Sequence, residues 1–215
     1  MKQRGYSKYI EQVVDKVAYG DIVWPGTIAA GMAKEFAIPR SKAMNMCNLK
    51  LKRLTDNGVI VRVQKGAYCR FKQTVFGNLC PSKDEFVTQM LMRVEGRVTG
   101  YETGASVLNK LGLVTLLPRK REIVTNNYRA RLPKDCYVQV RKPATEVDDN
   151  NWRYLQFIDA VDNLPRFPID VEHPERQLRS FAKRQELDPM LLITIAVKYY
   201  SQKTTLRLAK MLATS

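Results

Sequence analysis

The 215 residues allow one large domain or two small ones, and 45% hydrophobic with 27% charged residues supply a packed core, which excludes wholesale disorder. Lysine and arginine number 36 against 21 acids, a net charge of +15 that must either meet a polyanion or stay solvated. Residues 1–75 hold 14 basic and 5 acidic side chains, residues 76–150 hold 12 and 9, and residues 151–215 hold 10 and 7. The excess sits mainly in the first third, as expected where one module carries a footprint for phosphates.

No stretch of about 18 apolar residues occurs, so no membrane span is expected. The polar start, Met1 to Tyr6, has no apolar run behind it, so no signal peptide is expected either, and the expected location is cytoplasmic. Cys47, Cys69, Cys80 and Cys136 are scattered, with no Cys-x-x-Cys pair, and His173 is the only histidine. Zinc needs four ligands at compatible spacings, so no metal or other cofactor is expected, and the cysteines read as small buried apolar groups in a reducing compartment.

In chain order, residues 8–19 predict a helix from Ile10, Val13, Val14 and Val17, ended by Gly20-Asp21. Ile22-Val23-Trp24 reads as extended, because Trp24 precedes Pro25. A second helix is predicted from Thr27 to Phe36, striped by Ile28, Met32 and Phe36 and thinned by Gly31 and its alanines so that another helix can approach. Pro39 breaks it. A third helix is predicted from Ser41, as its cap, to Asn57, with Gly58 at the left-handed position beyond. Residues 59–63 and 67–71 read as strands joined by a turn at Gln64-Lys65-Gly66.

Three helices and a hairpin in this order predict a winged helix-turn-helix over residues 1–75. The turn-formers Gly77, Asn78, Pro81 and Ser82 place a linker at 72–82. Residues 83–215 are then a second domain, mixed but mostly helical, and the whole is an α+β protein. Within it Ser82 caps a helix to Val94 whose first turn carries Asp84 and Glu85. A helix follows at 102–110, then strands at 121–125 and 137–140 with Asn126-Asn127 turning the chain between them. Helices are expected at 152–163, 174–186, 189–200 and 203–213.

If Cys47, Leu51 and Leu54 point inward, steps of about 100° per residue put Lys42, Asn45, Leu49 and Lys52 on the opposite face of the third helix. In a helix-turn-helix that face enters the major groove. Asn45 is the candidate base reader, since an amide bonds adenine N6 and N7 together. Arg40 and Ser41 stand at the helix entrance, where side chains and amides meet a phosphate, and Lys42 suits guanine or phosphate. Lys52 and Arg53 suit the backbone. Arg62, Gln64 and Lys65 form a small basic wing for the phosphates or the minor groove. Each position also fits a solvated polar face.

Catalytic constellations are weak. Asp148-Asp149 are neighbours, whose side chains diverge on an extended segment. His173 has no nucleophile or metal set to serve, and no phosphate-binding glycine loop occurs. No catalytic residue is assigned and the protein is not expected to be an enzyme.

Val23-Trp24-Pro25, Leu51-Lys52-Arg53-Leu54, Gly58-Val59-Ile60 and Arg62 to Tyr68 stand in the order found in one family. Phe76-Gly77, Pro81-Ser82, Val98 to Tyr101, Asn109, Leu111-Gly112-Leu113, Pro118 and Glu122 to Asn126 continue it. Over residues 8–130 the chain resembles the AbiEi-type antitoxins of bacterial type IV toxin–antitoxin (abortive infection) systems, especially the shorter ones. The resemblance implies a transcriptional autorepressor that binds double-stranded DNA repeats in its own promoter. It also implies a nucleotidyltransferase-like toxin as functional partner, counteracted without a stable complex. Two positions depart from the pattern: Gly26-Thr27 stand where an acidic residue is expected, and Phe71 where a proline follows the wing. The alternative is a protein–protein adaptor with a winged-helix module and no specific DNA target. A nuclease or nucleotidyltransferase would need clustered carboxylates for metal, which Asp148-Asp149 do not provide.

Overall fold

Tyr6, Ile10 and Val14 fall on one face of the first helix, α1 (Lys2–Lys16), and all three are buried. They meet Ile28 and Met32 of α2 (Pro25–Glu35) and Ala43, Cys47 and Leu51 of α3 (Arg40–Asp56) in a single core. Each fully buried isoleucine, valine, leucine or methionine among them contributes about 1.5–3 kcal/mol from the area removed from water. The computed structural model describes residues 2–64, 66–75, 77–79, 82–94, 96–132 and 136–213. They form an α+β protein, and the chain divides into two compact units, Met1–Met90 and Leu91–Ser215.

In the first unit a three-stranded sheet runs in the order β1 (Ile22–Val23), β3 (Ala67–Arg70), β2 (Ile60–Gln64), antiparallel throughout. Val23, Ile60 and Tyr68 close the core beneath the helices. Gly31 lets α1 approach α2, since the Tyr9 hydroxyl lies where a Cβ on residue 31 would stand. Arg70 binds the end of α1: its guanidinium donates to the carbonyl of Val17 at 3.0 Å and to that of Asp15, and lies 4.4 Å over the Tyr19 ring. The last carbonyls of a helix lack intrahelical donors, and a cation there also suits the helix dipole. Beyond the sheet, β4 (Lys72–Thr74) and β5 (Gly77–Leu79) pair within the segment where the sequence places a linker. Ser82 and Glu85 then form a reciprocal capping box at the start of α4 (Lys83–Met92). The division between units falls inside that helix.

Several boundaries shift from the sequence expectation. α2 begins at Pro25, since proline suits the first helical position. α3 begins at Arg40 with Pro39 at the cap, which supplies no side-chain bond, so Ser41 lies inside the first turn and does not cap. α2 closes with Ala37 in the left-handed region (φ 50°), while the Ile38 amide donates to the Ala33 carbonyl at 3.2 Å. α3 makes the same closure with Gly58 (φ 70°), where no Cβ strain arises. Ala37→Gly should therefore relieve about 1–2 kcal/mol of strain, offset by roughly 0.4–1 kcal/mol of added unfolded-chain entropy. The expected net gain, up to about 1.6 kcal/mol, would appear as a higher urea midpoint at unchanged slope; a lower midpoint contradicts the left-handed closure.

The second unit opens with a small hairpin, β6 (Arg93–Val94) and β7 (Arg97–Val98). Its main sheet has the order β10 (Val138–Arg141), β9 (Arg121–Thr125), β8 (Gly100–Thr103). β8 shortens the expected helix at 102–110: Glu102 and Thr103 pair with β9, and α5 (Ala105–Lys110) starts only after Gly104. Gly100 is required by close approach, since a Cβ there would meet the Val124 and Leu91 carbonyl oxygens at 2.5 and 2.6 Å. β9 and β10 are parallel, so Asn126-Asn127 do not turn one directly into the other.

The helices α6 (Trp152–Asn163), α7 (Pro174–Arg184), α8 (Pro189–Tyr199) and α9 (Gln202–Ala213) follow, with one 3₁₀ turn at Leu164–Arg166. Phe157, Ile158, Leu178, Leu192 and Leu208 form their common core. Against it, the Asp159 carboxylate accepts hydrogen bonds from Tyr200 at 2.7 Å, Tyr101 at 3.1 Å and Thr103 at 3.3 Å. Burial raises the Asp159 pKa, and the bonds from Tyr200 and Tyr101 only partly oppose it.

Candidate nucleic-acid interface

The face of α3 is fixed by what its other side buries. Ala43, Cys47, Leu51 and Leu54 are turned into the core, as the spacing of the last three predicts. Burial pushes the Cys47 thiol up to about 12, so it stays protonated and serves as a small apolar filler. Cys69 is buried as well, Cys136 is half-buried, and Cys80 lies outside the described residues.

Arg40, Ser41, Lys42, Asn45, Lys52 and Arg53 are all exposed, and Leu49 is 62% exposed between them. Lys42, Asn45, Leu49 and Lys52 recur at spacings of three and four and therefore share one side of the helix. Asn48, which the sequence did not single out, is exposed one turn beyond Asn45 and one turn before Lys52. It places a second amide beside that row. The signal was present in the helical spacing, but Asn48 stands off the line opposite Cys47. Lys50 belongs elsewhere: it forms an ion pair with Glu11 of α1. Lys42, Lys52, Arg53 and Arg62 pair with no carboxylate among the described residues.

The first turn of α3 has amides that lie outside its own hydrogen-bond ladder. The first intrahelical bond runs from the Ala43 amide to the Pro39 carbonyl at 3.0 Å, so the amides of Arg40, Ser41 and Lys42 precede the ladder. The two cations at 40 and 42 flank those amides and the positive end of the helix dipole.

The hairpin of β2 and β3 carries Arg62, exposed, opposite Tyr68. The register shifts between Arg62 and Gln64, a bulge that increases local twist just before the turn, and Gly66 takes φ 78° to close it. Gln64 is the last residue of β2; its side chain, and Lys65 entirely, lie outside the described residues. The structure thus brings together the helix residues at 40–53 on one element and presents Arg62 on another.

Residues 36–132 match a family of unknown function, DUF6088. No curated protein matches the chain. The matched segment starts at the end of α2 and includes α3, the hairpin and the sheet of the second unit through β9.

The two neighbouring carboxylates bond to backbone amides. Asp148 accepts from the amides of Asn150 and Asn151, both at 2.8 Å, and Asp149 accepts from the Val98 amide at 3.1 Å. The two carboxylates face different partners. His173 is the residue before α7 and is exposed. No cluster of three or more metal-ligating side chains occurs among the described residues, and none of their helices is long and apolar enough to cross a membrane.

Proposed function

We propose that the first unit is a winged helix-turn-helix that binds double-stranded DNA, with α3 in the major groove and the β2–β3 hairpin along the backbone. The observation that carries this reading is the exposed row Lys42, Asn45, Lys52 opposite a buried Cys47 and Leu51, on a module with 14 basic and 5 acidic residues over 1–75. An adaptor needs no such excess of cations. The resemblance over residues 8–130 supports a cytoplasmic autorepressor of its own promoter that serves as the antitoxin of a type IV system, its partner a nucleotidyltransferase-like toxin held in no stable complex.

The test is titration of promoter and scrambled duplexes at several salt concentrations. Binding should prefer the promoter and weaken steeply with salt, by about 0.9 in log K per unit log salt for each phosphate contacted. A flat salt response, or equal affinity for both duplexes, refutes it.

Asn45 and Lys52 separate reading from holding. Asn45→Ala should cost roughly 1–3 kcal/mol on the preferred operator and little on scrambled DNA. Lys52→Ala should weaken both duplexes alike and lower the salt slope by about one unit. Equal losses from Asn45→Ala on both duplexes would mean that α3 docks with a different face.

A further inference from the structure

Beyond the proposed DNA contact, a group of cations lines an open cleft of about 600 Å³ between α7 and α9. α9 contributes Lys203, Arg207 and Lys210, spaced by four and three residues and so on one face. α7 contributes Arg176 and Arg179, again on one face. Among the described residues Glu175 is the single carboxylate on the lining. Leu206, 55% exposed, gives the cleft an apolar wall, while Met211 at its base is buried in the core.

Two of the cations are held in place. The Arg179 guanidinium donates to the Met211 carbonyl at 3.0 Å, and that of Arg207 to the Val161 carbonyl at 3.3 Å. Each keeps further N–H donors in a fixed fork. Arg176 and Lys203 are exposed, and neither pairs with a carboxylate among the described residues. Arg176, Lys203 and Arg207 bring three positive charges to one cleft beside the apolar Leu206, and they repel one another until an anion enters. The volume is that of a small-molecule site, and the apolar patch has no use for a bare inorganic ion. A duplex would present its phosphates as convex rows and leave such a hollow unfilled.

We propose that the α7–α9 cleft binds a small organic phosphate of the nucleoside phosphate class, its phosphates among Arg176, Lys203 and Arg207 and its flat body against Leu206. The site lies wholly in the second unit and is independent of the DNA-binding reading of the first.

Calorimetric titration of the full chain tests it with ATP, AMP, adenosine, inorganic pyrophosphate and a promoter duplex. ATP should bind more tightly than about 100 μM, pyrophosphate at least about tenfold more weakly, and adenosine not measurably. The double variant Arg176→Glu, Lys203→Glu should lose at least about tenfold in ATP affinity at an unchanged melting temperature, because both side chains are exposed and unpaired. Alanines at Lys42, Lys52 and Arg62 should leave ATP binding intact. The proposal is overturned if no nucleotide binds, if adenosine or pyrophosphate binds as tightly as ATP, or if the double variant binds ATP normally. It is equally overturned if the α3 alanines abolish ATP binding, or if the double variant loses only the duplex.

Discussion

Replacing Lys42, Lys52 and Arg62 together by alanine is expected to weaken binding to any duplex by roughly two to three orders of magnitude at 0.1 M salt. The magnitude follows from counterion release. Each phosphate contact contributes about 0.9 log units per decade of salt, so three contacts at 0.1 M are together worth about 2.7 log units relative to 1 M. The slope of log K against log salt should fall by about three. Stability should hardly change, because all three side chains are exposed and none has an ion pair among the described residues. The preference for promoter over scrambled DNA should survive at low salt, since Asn45 is untouched. Loss of affinity without a change in slope would mean that these cations do not meet phosphates.

The second large effect concerns stability. Asp159→Ala should destabilise the second unit by about 3 kcal/mol or more, because Tyr101 and Thr103 lose their acceptor inside the fold. Asp159→Asn should cost much less, about 1 kcal/mol. The amide oxygen can face Tyr101 and Thr103, while its NH₂ donates to the Tyr200 hydroxyl, which already lies 3.3 Å from the Leu155 carbonyl as a second acceptor.

The pH dependence of these variants has a definite sign. Burial holds the folded-state pKa of Asp159 above its ordinary value of 3.8. The native state then binds the proton more tightly than the unfolded chain does, so stability from this group declines as pH rises from about 4 through the raised value. Carboxylates with lowered values, such as Asp170 with its bonds from Thr115, act in the opposite direction. The difference in unfolding free energy between wild type and Asp159→Asn, measured across pH, isolates the one group. The wild type should lose ground to the asparagine variant as pH rises. A difference independent of pH would show that Asp159 titrates alike in both states.

Much of this molecule is legible where short-range physics decides. The bounds of α6 follow from the Leu155, Ile158, Val161 spacing, and α7 and α8 begin at Pro174 and Pro189, where a missing amide costs nothing. The inward side of α3 follows from Cys47, Leu51 and Leu54, and with it the whole outward row. β8 was hidden because Gly100-Tyr101-Glu102-Thr103 has no alternation to mark it: all four residues are buried. The parallel pairing of β9 with β10 was hidden because Asn126-Asn127 signal a turn without naming the partner, and pairing is settled by distant contacts. The Asp159 cluster joins residues far apart in sequence, so no local pattern announces it. The α7–α9 cleft was half visible, since Lys203, Arg207 and Lys210 share a helix face, but its opposing arginines are a matter of tertiary packing.

The Asp159 cluster also bears on the order in which the protein forms as it is made. Tyr101 and Tyr200 lie 58 and 41 residues from Asp159, so the cluster closes only after nearly the whole chain has left the ribosome. Distant closures cost loop entropy before they return any contact, and they slow folding. The helical core of the first unit, from Tyr6 to Tyr68, is drawn from the first third of the chain. At about 5–20 residues per second the α3 face is complete several seconds before the last helices exist. Nascent chains with residues 1–90 released from the ribosome should therefore already protect the Cys47 thiol from alkylation.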